Sequence, residues 1–264
     1  MERLETLKRI MASFRSAVLA FSGGVDSTFL AAVAGEVLGN NIILATVASS
    51  VYPASELEDA KRAAASMGLA HEIIYLDELH IPELWSNGPD RCYYCKRMIF
   101  TQIKEFALRN SCEAVMEGSN ADDRKDYRPG RKALEELSIR SPLDEAGFTK
   151  EMIRDVSRNM GLPAADKSAC ACLASRFPYG EKITRAGLRR VERAERELKA
   201  LGFTQFRVRS HRYMARVEFT EAEIEAGWAA RKRIEAICKK AGFIYVAIDT
   251  EGYRTGAMNE AMKL

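Results

Sequence analysis

The sequence predicts an α/β fold: a first domain built on a parallel sheet, followed by a smaller α+β domain. Three observations carry this. Short apolar runs alternate with helical patterns over the first half of the chain, the spacing of strands joined by right-handed crossovers. A glycine-rich turn closes the first apolar run and opens a helix. An irregular stretch rich in Ala, Ser and Pro, AADKSACACLASRFPYGEKIT (164–184), then separates this pattern from an α-β-β-α-β string. The expected domains are 1–170 and 171–264.

The N-terminal MERLETLKRIMASFRS is charged every few residues and reads as an amphipathic helix, not as a secretion signal. AVLAF (17–21) is a strand ending abruptly at Ser22-Gly23-Gly24, and Phe29, Leu30, Val33 and Leu38 mark the helix after it. Ile42 to Ala48 is a second strand. A Tyr-Pro turn and a polar helix from about Ser55 to Met67 lead to a third strand, HEIIYL (71–76). A helix from about Lys96 to Leu108 precedes a fourth, CEAVMEG (112–118). TKEMIRDVSRNMGLP, from Thr149, has a capping-box start, incomplete because Met152 stands where Glu or Gln is wanted, and a Gly-Leu-Pro stop. The second domain reads as a charged helix (about 184–201), strands FRVRS and MARVEF, a helix (about 221–240) and a last strand FIYVAID, giving an antiparallel sheet.

Composition narrows the function. At 47% hydrophobic and 29% charged residues the chain is neither disordered nor fibrous. A net charge of +3 is too small to announce a nucleic-acid or membrane surface, and no apolar run is long enough to span a bilayer. The expected compartment is the cytoplasm. Its reducing conditions disfavour disulfides, so Cys92, Cys95, Cys112, Cys170, Cys172 and Cys238 require explanation as core residues, metal ligands or reactive thiols. Cys112 and Cys238 fall in apolar patterns and read as core.

Ser22-Gly23-Gly24-Val25-Asp26-Ser27 stands at the carboxyl end of the first strand, where parallel α/β folds place ligands. Its glycines let backbone N–H groups face a phosphate, the serine hydroxyls add donors, and the following helix presents its positive end. No Gly-Lys-Ser/Thr follows, which disfavours cleavage at the γ-phosphate. Asn120, Asp122 and Asp123 follow the fourth strand and open on the same edge, either as Mg²⁺ or substrate ligands or as a solvated, capped turn. Arg207 and Arg209 share a strand face by alternation. With Arg216 and Arg254 they make either a phosphate clamp or an ordinary basic surface. His71, His80 and His211 lack ligand spacing and read as surface or capping residues; Trp85 and Trp228 read as packing anchors.

SGGVDS resembles the PP-loop of the N-type ATP pyrophosphatases, a resemblance that implies cleavage between the α- and β-phosphates to give AMP and pyrophosphate. RCYYCK (91–96), GSNADDRKDYRPG (118–130), SPL (141–143), LPAADKSACACLASRFPYG (162–180) and EGYRTGAMN (251–259) resemble the LarE family of ATP-dependent sulfur transferases, from about residue 5 to the C-terminus. That family acts in assembly of the nickel-pincer nucleotide of lactate racemase. The resemblance implies adenylation of a carboxylate on a pyridinium-dicarboxylate mononucleotide, attack by a cysteine thiolate, and C–S cleavage that leaves sulfur on the product. It implies ATP and Mg²⁺, and a homo-oligomer, with a hexamer as one such assembly. Cys172, or else Cys170, is the expected sulfur site, with Ser175 and Arg176 beside it, the guanidinium favouring a thiolate. Cys92, Cys95, Cys170 and Cys172 are alternatively the ligands of a [4Fe-4S] cluster or a zinc site. The competing functions are tRNA thiolation, which wants basic and aromatic residues interleaved, ammonia-dependent synthesis, and nucleotide sensing, which wants no reactive thiol.

Overall fold

The computed structural model describes residues 2–76, 81–125, 129–167, 171–254, 256–257 and 260. They form two compact units, one of Met1–Glu78 with Cys92–Cys170 and the other of Leu79–Arg91 with Ala171–Leu264.

The first unit opens with helix α1 (Glu2–Ala12), whose Leu7 and Met11, one turn apart, are buried. Strand β1 (Ala17–Ala20), helix α2 (Val25–Leu38), strand β2 (Ile42–Ala48), helix α3 (Ala54–Met67) and strand β3 (Ala70–Tyr75) follow in strict alternation. After α4 (Pro82–Trp85), a helix of the second unit, come α5 (Arg91–Arg109) and β4 (Ala114–Met116). Short helices α6 (Gly130–Glu136) and α7 (Pro142–Glu145) lead to α8 (Lys150–Asn159), which starts where Thr149 Oγ1 accepts the amide of Met152.

The four strands pair in the order β3-β2-β1-β4, all parallel. Both faces of such a sheet must be covered, which is why β1 is apolar on both sides. Leu19 enters a core with α1, α2, α3 and α8, whereas its neighbour Val18 enters the opposite one, with Ile99, Phe100 and Ile103 of α5. The chain winds outward from β1 to β3 and then returns to lay β4 on the other side of β1. The carboxyl ends of β1 and β4 therefore flank the switch point, where a crevice opens and ligands bind.

In the second unit, α9 (Arg185–Ala200) buries Leu188, Val191 and Leu198. It precedes β5 (Phe206–His211), β6 (Met214–Phe219), α10 (Glu221–Ala229), α11 (Arg231–Ala241) and β7 (Tyr245–Ile248). The order is β5-β6-β7, and the sheet is mixed: β5 and β6 are antiparallel, β6 and β7 parallel. The antiparallel sheet expected from sequence is thus corrected. The connection through α10 and α11 is a crossover that returns the chain to the starting end of β6, so β7 runs parallel to it. The single helix expected over 221–240 is two, interrupted at Ala230.

Residues 81–91, placed by sequence in the first domain, are stitched to the second unit. Asn87 donates through Nδ2 to the carbonyls of Phe177 (3.2 Å) and Pro178 (2.7 Å), and Ile183 N donates to Trp85 O at 2.9 Å. Arg91 Nη1 reaches Ala174 O at 3.0 Å. Among the described residues, no helix is long and apolar enough to cross a membrane.

Candidate active site

The loop after β1 is held in shape by its own serines. Ser22 and Ser27 hydroxyls lie 3.1 Å apart, Gly24 N donates to Ser22 Oγ (3.3 Å), and Ser27 Oγ donates to Gly24 O (3.2 Å). Gly23 has φ +66°, and a Cβ there would stand 2.7 Å from Ala60 Cα, so both backbone and space demand glycine. The first helical bond runs from Thr28 N to Gly24 O, and helix geometry leaves the N–H groups of Val25, Asp26 and Ser27 without an intrahelical acceptor. Behind the loop, Thr46 Oγ1 donates to Phe21 O (2.6 Å) and meets His71 Nε2 at 2.8 Å. His71, expected as a surface or capping residue, thus braces the strand that feeds the loop. Burial pushes its pKa below the ordinary value.

The loop after β4 comes up against this one: a Cβ on Gly118 would lie 3.2 Å from Ser27 N. Glu117, buried, accepts from Ser119 N (2.9 Å), Ser119 Oγ (2.8 Å) and Ser141 Oγ (2.6 Å). Asn120 Oδ1 caps Asp122 N (3.0 Å), Asp123 Oδ2 accepts Asn120 N (3.1 Å), and Asp122 Oδ2 accepts Lys150 N (2.9 Å). Each expected ligand therefore already accepts one backbone N–H, Asn120 and Asp123 within the turn and Asp122 from the start of α8. Lys150 Nζ also meets Asp26 Oδ2 at 2.6 Å, while Asp26 Oδ1 is buried without a partner. Burial raises the Asp26 pKa, against the lowering effect of Lys150. A cavity of about 190 Å³ adjoins, lined by Lys96, Ser119, Asn120, Arg131 and Ser141 among others.

In the second unit, Cys172 precedes a 3₁₀ turn, Leu173–Arg176, is half-buried and takes part in no disulfide among the described residues. Ser175 Oγ donates to Cys172 O at 2.8 Å. Arg176, 2% exposed, forks onto Glu195 (2.9 and 2.8 Å) and gives Nη1 to the carbonyls of Ala171 and Cys172 and to Ser175 Oγ. Its charge is matched by Glu195 and its donors are spent on the loop backbone, so Arg176 shapes the cysteine loop. Arg209 is likewise committed: Nε and Nη2 fork onto Glu218 Oε2 (2.9 and 2.7 Å), and Nη1 donates to Ser175 O (2.9 Å). Arg216 bridges Glu218 (3.0 Å) and Asp249 (2.6 Å). Arg207 stacks 4.9 Å from the Tyr253 ring centre, and Arg254 is exposed among Glu251 and Glu260.

The asparagine synthase family profile matches residues 4–115. A Synechocystis protein described as uncharacterised is 40% identical over 98% of this chain and 98% of its own. The pyridinium-3,5-bisthiocarboxylic acid mononucleotide synthase of Lactiplantibacillus plantarum is 36% identical over 97% of this chain and 94% of its own. The chain belongs to that synthase family. A Methanocaldococcus jannaschii protein, also described as uncharacterised, is 27% identical over 90% of both chains. Membership makes the chain a PP-loop enzyme, consistent with a phosphate loop at the switch point of a parallel sheet.

Within this synthase framework the cysteines divide. Cys92 and Cys95, expected in a loop ahead of the helix that the sequence starts near Lys96, lie instead in the first turns of α5. Cys238 is fully buried, its thiol pushed up to about 12 by burial, and Cys112 is half-buried and also raised. Cys170 and His80 lie outside the described residues. Among the described residues no three Cys, His, Asp or Glu side chains gather into a metal-holding group. Trp85 is buried as expected, but Trp228 is 59% exposed with Arg231 over its ring. Sequence reading missed Lys150, Glu117, Glu195 and Glu218. Only Glu195 left a signal, as an acid between Val191 and Leu198 on the apolar stripe of α9.

Proposed function

We propose that this enzyme is an ATP-dependent sulfur transferase that converts a carboxylate of a pyridinium-dicarboxylate mononucleotide into a thiocarboxylate, serving synthesis of the nickel-pincer nucleotide. The observation that supports it most is identity to the named synthase over nearly the whole chain, joined to a phosphate loop without a Walker lysine. A carboxylate is a poor electrophile until its oxygen becomes a good leaving group. The substrate carboxylate attacks the α-phosphorus, and pyrophosphate leaves. The Cys172 thiolate then attacks the acyl carbon, and AMP leaves. Loss of the Cys172 α-proton breaks its Cβ–S bond, leaving dehydroalanine on the chain and sulfur on the product.

Ser22, Gly23, Gly24 and Ser27 cradle the phosphates in this reading, with Asn120, Asp122 and Asp123 bordering the crevice. The unpartnered Asp26 oxygen suits Mg²⁺, which takes one or two carboxylates and keeps phosphate and water for the rest. Bound there, Mg²⁺ neutralises phosphate charge. Arg207 and Arg254 face the substrate phosphate, while Arg176 and Arg209 position Cys172 and Ser175. A [4Fe-4S] cluster is the alternative sulfur source, which the iron and sulfide analysis below distinguishes. We place the enzyme in the cytoplasm as a homo-oligomer. Supporting the oligomer is an exposed apolar patch in which Ile244 N and Tyr245 N both bond Tyr213 O.

The test is turnover of the mononucleotide with ATP and Mg²⁺ on anaerobically purified protein. AMP, pyrophosphate and a protein lighter by the mass of H₂S are expected, and Cys172→Ala should release pyrophosphate without forming thiocarboxylate. ADP and orthophosphate would overturn the reading. Stoichiometric iron and sulfide with repeated turnover would move the sulfur source to a cluster.

A further inference from the structure

The phosphate loop lacks a full positive charge. Residues 22–27 contain no lysine or arginine, and none occurs in α2. A helix end offers only about half an elementary charge, whereas breaking the α,β bond deposits new negative charge on the leaving pyrophosphate. The fold brings a cation from far along the chain. Lys150, 124 residues after Asp26, places Nζ 2.6 Å from Asp26 Oδ2, in the first turn of the helix that begins at the loop. Its own backbone is fixed by the Thr149 cap of α8 and by Asp122 Oδ2, so it ties the loop after β1 to the turn after β4.

Two other cations of this unit are already engaged. Arg154 donates to the carbonyls of Ala165 and Lys167, and Lys167 is paired with Glu56 and Asp59. Lys150 remains about one-third exposed, with Asp26 as its ion-pair partner among the described residues. Asp26 Oδ1, buried and unpartnered, shows that this carboxylate has capacity beyond the lysine.

We propose that Lys150 is the pyrophosphate-contacting cation of the site, held ready by Asp26 and transferred to the β- and γ-phosphate oxygens when nucleotide enters. This deepens, and rests on, the α,β-cleavage reading above. In the step it serves, the carboxylate oxygen bonds to the α-phosphorus and the bridging oxygen leaves on pyrophosphate with the bond pair. Lys150 keeps its proton throughout.

The experiment is calorimetric titration of pyrophosphate and, separately, of AMP into the full-length enzyme with Mg²⁺. Lys150→Met should weaken pyrophosphate about tenfold or more, the scale of one charge-assisted hydrogen bond, and leave AMP nearly unchanged. Lys150→Arg should restore most of the loss. Because a bared Asp26 would itself repel phosphate, the same comparison is made in an Asp26→Asn background, where Lys150→Met should still weaken pyrophosphate about tenfold. Unchanged pyrophosphate affinity in either background, or equal loss of AMP and pyrophosphate, would overturn the role of Lys150. Failure of the parent enzyme to bind either ligand would overturn the nucleotide reading and this role with it.

Discussion

Arg209→Met tests whether the buried ion pairs of the second unit serve position or stability. Arg209 and Glu218 side chains are 6% and 2% exposed. Removing the guanidinium strands a buried carboxylate, which costs about 3–5 kcal/mol in such pairs. Arg216 still holds the other Glu218 oxygen at 3.0 Å, so the lower end, about 3 kcal/mol, applies. The lost bond to Ser175 O adds about 1 kcal/mol. Arg209→Met/Glu218→Leu removes both charges, and apolar replacement of a whole pair is often neutral. Urea denaturation should therefore find the double variant more stable than the single variants predict by addition, by about 3 kcal/mol. Sulfur transfer should nonetheless stay depressed, because the cysteine loop has lost its anchor at Ser175. Strict additivity would refute the electrostatic argument, and wild-type transfer by the double variant would refute the positioning role.

Two titrations give further checks. The Cys238 thiol, pushed up to about 12 by burial, stays protonated in the native state after an unfolded thiol, near 8.5, has lost its proton. Stability should therefore be full below that value and decline as pH rises toward 12, and Cys238→Val should flatten the decline; an unchanged slope would contradict it. Burial lowers His71 and His211 instead, so the unfolded state binds more protons in the window just below the ordinary histidine value of about 6.5. Native stability should fall as pH drops through that window, and His71→Gln/His211→Gln should lose less than the parent between pH 7.5 and 5, measured by urea midpoints.

The first unit was legible because local and global signals agree. Val18 and Leu19 are apolar since both sheet faces are covered, and the Ser22-Gly23-Gly24 break marks a turn whose φ only glycine readily adopts. The second unit was less so. Strand direction depends on the connection: one long helix or two, at 221–241, leaves the same periodicity in sequence. The attachment of 81–91 runs through the Asn87 amide and backbone carbonyls, groups every sequence carries and whose partners it does not name.

For the site, the limit is that a residue type states a capacity and its partners decide the use. Arg176, Arg207 and Arg209 look alike as guanidiniums near strands. Yet Glu195 and Glu218 neutralise two of them, and each then fastens the segment 171–176 through carbonyls, leaving Arg207 the more accessible. Six charges, Arg176, Glu195, Arg209, Glu218, Arg216 and Asp249, balance within that unit. Such balance is what lets buried guanidiniums persist without a bound anion. The same logic explains why Lys150 went unseen. Its significance lies in standing against Asp26, a contact made only when α8 and α2 pack on one face of the sheet. Neutralised arginines that fasten a loop through its carbonyls hold it by contacts internal to the fold, and such preorganisation needs no substrate charge to complete it.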